Sequence, residues 1–73
     1  MSRLVRLDRT GHTTLAEWTA GDEAAVEEAA RTFRAELDAG MLASATRDGT
    51  AEVVRELPLD AELVILRRPI AGG

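Results

Sequence analysis

Three stretches of this sequence carry residues that could do chemistry. The first is Asp8-Arg9-Thr10-Gly11-His12, where a carboxylate, a hydroxyl and the only imidazole of the chain stand close together. Nucleophilic catalysis needs a base and an orienting group ordered around the nucleophile. Nothing nearby supplies that order, and Gly11 marks the stretch as a turn, since glycine takes positive φ without strain. A metal site has no better support, because His12 has neither a second histidine nor a cysteine to share an ion with. The second stretch is the charged run containing Glu27 and Arg31, spaced i,i+4, which reads as the solvated face of a helix. The third is the ending, Pro69-Ile70-Ala71-Gly72-Gly73. Two glycines close a chain by chance in roughly 0.5% of cases, so the pair gains weight only from the elements that precede it.

Composition narrows the field. Seventy-three residues make one domain, and a chain this short buries only about 60% of its unfolded surface. It has no cysteine to staple that core. With 45% apolar and 30% charged residues the chain has the makings of a globular core. A net charge of −4 argues against sequence-independent nucleic-acid binding, which calls for a basic face. All nine basic residues are arginine, so no internal side-chain amine exists to accept an acyl group. Met1-Ser2-Arg3-Leu4-Val5-Arg6 has no apolar leader core, and the longest apolar run, Leu63 to Leu66, falls far short of a membrane span. The expectation is a cytoplasmic protein without a membrane partner.

The elements follow from periodicity and punctuation. Leu4, Val5 and Leu7 among charged neighbours predict a first strand with Val5 and Leu7 on one face. Thr13 to Thr19 predicts a second, antiparallel strand, with Thr14, Ala16 and Trp18 alternating against Leu15 and Glu17. Trp18 reads as a packing residue. Asp22 is a good helix N-cap and Glu23 suits the positive helix end. Val26, Ala29, Ala30, Phe33 and Leu37 then form one apolar helical stripe, which Gly40 should stop in the left-handed conformation. Met41 to Thr46 returns the chain to the sheet. Asp48-Gly49 predicts a tight hairpin, and Ala51 to Leu57 the strand beyond it. Pro58 ends that strand, because it has no amide proton to donate. Leu63 to Arg67 predicts a central strand, buried on both faces or with one face kept for a partner. The order strand, strand, helix, strand, strand, strand gives an α+β domain, a mixed sheet of four to five strands with one helix packed on one face. The first and last strands should run parallel in the middle.

With that order in place the chain resembles the ubiquitin-like β-grasp family over nearly its whole length. Two features carry the resemblance. One is the helix of about four turns after the first hairpin. The other is the ending Glu62-Leu63-Val64-Ile65-Leu66-Arg67-Arg68-Pro69-Ile70-Ala71-Gly72-Gly73, an apolar strand, a short tail and terminal Gly-Gly. Ubiquitin-like modifiers and sulfur-carrier proteins share such an ending. Pro69 to Gly73 is closest to the sulfur carriers, whereas Arg67-Arg68 is nearer the basic approach to a modifier's tail. The division implied is a β-grasp domain over 1–68 and a flexible tail over 69–73.

The resemblance implies a role for the tail. The protein would not be an enzyme and would bind no cofactor. An E1-like adenylating enzyme would use ATP to activate the carboxylate of Gly73, with Gly72 threading behind it. Arg67, Arg68, Pro69 and Ile70 would meet that enzyme, and so would an outward-facing pair of the last strand, Val64 and Leu66 or Leu63 and Ile65. An E2-like enzyme, an isopeptidase and protein targets complete the partners of a modifier. A sulfur carrier would instead form a thiocarboxylate at Gly73 for cofactor synthesis. An interaction or scaffold module without tail chemistry is the reading that needs no activation at all.

Overall fold

The computed structural model describes residues 1–69. Two hairpins, one helix and a final single strand build it. β1 (Ser2–Asp8) and β2 (Gly11–Trp18) pair antiparallel around a turn at Arg9-Thr10. α1 (Glu23–Asp38) follows, then β3 (Leu42–Arg47), β4 (Thr50–Val54) and β5 (Leu63–Arg67). The five strands form one sheet in the order β2-β1-β5-β3-β4. β1 and β5 run parallel at its centre, and every other neighbouring pair is antiparallel.

Local chemistry explains the boundaries. The Asp22 carboxylate accepts the Ala25 backbone N–H at 3.1 Å, meeting one of the donors a helix start leaves free. At the other end Gly40 takes φ +96°. Its N–H bonds the Leu37 carbonyl at 2.9 Å, and the Met41 N–H bonds that of Glu36 at 3.0 Å. This is the paired closure of a helix on a left-handed glycine. Asp48 and Gly49 both have positive φ, +48° and +77°, the mirror-image turn whose twist matches a β-hairpin. β4 ends at Val54, three residues short of the predicted Leu57. Its last residue stands opposite Ala43, and Met41 is held in the helix closure rather than in β3.

The two faces of the sheet differ. Leu4, Trp18, Ala43, Ala45, Val64 and Leu66 are buried on one side together with Ala29 and Phe33 of the helix. Val26 and Leu37 are half-buried against this core, as is Ala25, which the apolar stripe did not include, whereas Ala30 is exposed. The register fixes the inner row, since Leu4 lies beside Val64, Val64 opposite Ala45, and Leu66 opposite Ala43. The strict alternation expected of β2 breaks at Leu15, where the register slips by one residue between Leu4 and Val5. That bulge lets Leu15 and Ala16 both pack on the core, and it puts Thr14 beside Val5 on the other face. The Trp18 indole N–H donates to the Leu59 carbonyl at 3.3 Å, tying the 58–61 turn over the end of β2.

One expectation is corrected by this arrangement. Val64 and Leu66 are fully buried under the helix and cannot meet a partner; Leu63 and Ile65, half-buried, are the pair that faces away from it. Replacing Leu66 by alanine should therefore cost about 2–5 kcal/mol, and replacing Ile65 no more than about 1 kcal/mol. Urea denaturation followed by Trp18 fluorescence measures both, and equal losses would contradict this assignment of faces.

Candidate functional site

The candidate site is the pole of the domain where β5 ends, together with the bare sheet face leading to it. Because β1 and β5 are parallel and adjacent, Arg67, Arg68 and Pro69 emerge beside the end of β1 and its turn to β2. A groove of about 730 Å³ lies on the helix side, lined by Arg6, Asp8, Glu36, Gly40, Met41 and Pro69 among others. A second groove, of about 590 Å³, runs along Leu7 to Thr10 and again touches Arg68. Arg68 borders both, so the chain leaves the domain between the β1–β2 turn and the C-terminal end of α1.

Both walls are braced. Arg6 sits on the helix side of β1, next to Leu66, and its guanidinium meets the Glu36 carboxylate at 3.2 Å. Glu36 is mostly buried and Arg6 about half exposed, so the pair is better shielded than the surface pairs of Arg31 with Glu27 and Glu28. On the opposite wall Asp8 accepts the Thr10 hydroxyl at 2.7 Å and the Thr10 backbone N–H at 2.9 Å. These two bonds, the hydroxyl first, hold the Asp8 carboxyl below its ordinary pKa of 3.8. Asp8 and Thr10 are thus employed in the turn, and His12 lies across from Leu7 on the bare face. The three make no catalytic arrangement.

The bare face is apolar in its middle. Val5 and Ile65 are neighbours there, Ser44 lies opposite Ile65, and Val53 lies opposite Ser44. Toward the tail, Leu7 and Leu42 are exposed, and Leu42 stands opposite Arg67. Away from the tail come Arg3, Leu63, Thr46 and Ala51. The result is an apolar strip leading to an exposed arginine pair, with a shallow depression of about 290 Å³ around Ser44, Val53 and Ile65. Within the strip Val5 is buried and Leu63 and Ile65 are half-buried, so the apolar side chains open to solvent are Leu7, Leu42 and Val53. Sequence reasoning reached Leu63 and Ile65 here but did not name Val5, Leu7, Leu42 or Val53 as parts of the face. The Asp48-Gly49 turn held the signal for Val53 alone, because a two-residue hairpin fixes which β4 residue stands opposite each β3 residue; Val5, Leu7 and Leu42 are placed by pairing with β5, which no local signal gives.

Of the residues singled out from sequence, Arg67, Arg68 and Pro69 are exposed at the tail base, and neither arginine forms an ion pair among the described residues. Ile70, Gly72 and Gly73 lie outside the described residues, as does Ala71. Among the described residues, no group of three His, Cys, Asp or Glu side chains could hold a metal ion. No helix there is long and apolar enough to cross a membrane.

The turn at Asp8 gives a direct pH test. A carboxyl whose pKa is lowered on folding adds stability above its unfolded value and loses that contribution as pH falls through the folded value. Thr10→Val removes the hydroxyl bond, so the Asp8 pKa should move up toward 3.8. An NMR titration of the Asp8 carboxyl should record that rise, and an unchanged midpoint would contradict the bonding described. Compared with protein-family models, curated proteins and solved structures, the chain matches none.

Proposed function

We propose that this chain is a ubiquitin-like β-grasp modifier whose Gly73 carboxylate is adenylated by an E1-like enzyme and joined to a target amine. The observation that carries the reading is the position of β5. It is the central strand, parallel to β1, and it ends in exposed Arg67 and Arg68 beside an apolar sheet face. A partner enzyme can hold that face while residues 69–73 extend toward its ATP. In the working form Gly73 must bear a free carboxylate, and the cytoplasm supplies the nucleotide.

The chemistry asks little of this chain beyond a slim, unshielded end. A carboxylate oxygen of Gly73 attacks the α-phosphorus of ATP, forming the acyl-adenylate and releasing pyrophosphate. A target amine then attacks the acyl carbon, forming an amide and releasing AMP and a proton. With no Cβ at Gly72 or Gly73, the end can enter a narrow channel and the carbonyl stays open to the second nucleophile. Pro69 limits the freedom the tail loses on threading. Arg67 and Arg68 suit carboxylates at the channel mouth. With no lysine in the chain, its side chains do not compete with the target for the activated acyl group.

The Pro69 to Gly73 sequence also favours a second reading, a sulfur carrier, in which hydrosulfide attacks the acyl carbon of the same adenylate, the bond to AMP breaks, and AMP and a proton depart, leaving a thiocarboxylate on Gly73. Both readings share a test. Tagged protein incubated with ATP and extract of its own cells should show pyrophosphate exchange that depends on Gly72 and Gly73. Deleting the two glycines, or adding a residue after Gly73, should abolish the exchange and shift the thermal midpoint by less than about 2 °C. Equal exchange with and without the glycines would leave an interaction module as the remaining account.

A further inference from the structure

We infer that a second docking surface, on the helix side of the domain and separate from the bare sheet face, takes an extended acidic–aliphatic segment of a partner protein. Its starting point is a departure from the helical stripe. Ala30 falls within that stripe in the sequence, yet it is exposed, at the lip of a groove of about 470 Å³ between α1 and the segment after β4. Phe33 closes the floor, Leu57 forms the far wall, and Arg34 and Arg55 flank the opening with Glu56 beside them. A second depression of about 440 Å³ shares Arg55, Glu56 and Leu57 and continues to Val54, Pro58 and Arg47. The two make one trough, running from the helix to the foot of the β3–β4 hairpin.

Charge and the apolar lining together narrow the occupant. Arg47 is already held by Asp60 at 3.0 Å, and Arg31 by Glu27 and Glu28. Arg34 and Arg55 form no ion pair among the described residues, although Glu56 lines the same groove. Two free guanidinium forks beside an apolar floor suit a chain that presents an aliphatic side chain between carboxylates. The aliphatic group rests on Ala30 and Leu57, and each carboxylate can accept two N–H bonds from one fork. Glu56 lines both depressions, so the carboxylates of the segment must be spaced to reach Arg34 and Arg55 and to leave an uncharged residue against Glu56; a peptide can be spaced in this way, whereas the unbroken phosphate run of a nucleic acid cannot. The trough and the bare face lie on opposite sides of the sheet, so both can be occupied at once. This inference does not depend on the tail chemistry.

The test is a titration of the ¹⁵N-labelled chain with an acetylated peptide of alternating aspartate and leucine, with a lysine–leucine peptide as control. The acidic peptide should shift the amide signals of Ala30, Arg34, Arg55 and Leu57, and the basic one should not. The double variant Arg34→Glu with Arg55→Glu should bind at least about tenfold more weakly, while Arg3→Glu on the bare face should bind as the parent does. Arg34→Gln with Arg55→Gln repeats the measurement should charge reversal disturb the fold. Four results would overturn the inference: no shifts at millimolar peptide, shifts confined to the bare face, equal binding by the double variant, or concentration-dependent shifts at these residues without peptide, which would make the occupant a second copy of the chain.

Discussion

The parallel pairing of β1 with β5 is the constraint on which the rest of the structure depends. Parallel neighbours cannot be joined by a tight turn, so the chain must travel from one to the other by way of α1 and the β3–β4 hairpin. That route puts the helix over one face of the sheet. It also makes the two central strands do opposite work on their two sides. Leu4, Val64 and Leu66 are removed from water beneath the helix, each such burial being worth about 1.5–3 kcal/mol. Val5, Leu63 and Ile65, one residue out of phase, supply the centre of the other face.

From the same pairing comes the place at which the chain leaves β5. Strands that start at one pole end together at the other, so the β1–β2 turn and the base of the tail must be neighbours. The braces found there have a physical purpose in that light. The Asp8–Thr10 bonds stiffen the turn, and the Arg6–Glu36 pair ties β1 to the last turn of the helix. Neither engages Arg67 or Arg68.

Much of this was legible in the sequence wherever one residue type has one physical use. Asp22 and Gly40 bounded the helix because a free amide needs an acceptor and a left-handed turn favours glycine. Asp48-Gly49 announced the hairpin on similar grounds, and Trp18 was rightly read as packing. Periodicity was less decisive. A period of two divides β5 into Leu63 with Ile65 and Val64 with Leu66, but which set meets the helix depends on alignment with β1 and β3, residues far away in sequence. The bulge at Leu15 is invisible for the same reason, since only the pairing with Leu4 and Val5 reveals the extra residue. Ala30 shows another limit: an apolar helical stripe can be wider than the strip of sheet it covers. At the site, Arg67, Arg68 and Pro69 are exposed, while the apolar strip beside them needed the register of four strands to be seen.

The proposed function depends on the chemistry belonging to the carboxylate of Gly73. Intact mass spectrometry of the protein recovered under denaturing conditions from its own cells addresses that directly. A modifier should show a population joined through Gly73 to other proteins by amide bonds, and a sulfur carrier one in which a single oxygen of that carboxylate has become sulfur. A single unmodified species under all growth conditions, or a covalent species whose linkage lies anywhere but Gly73, would contradict both.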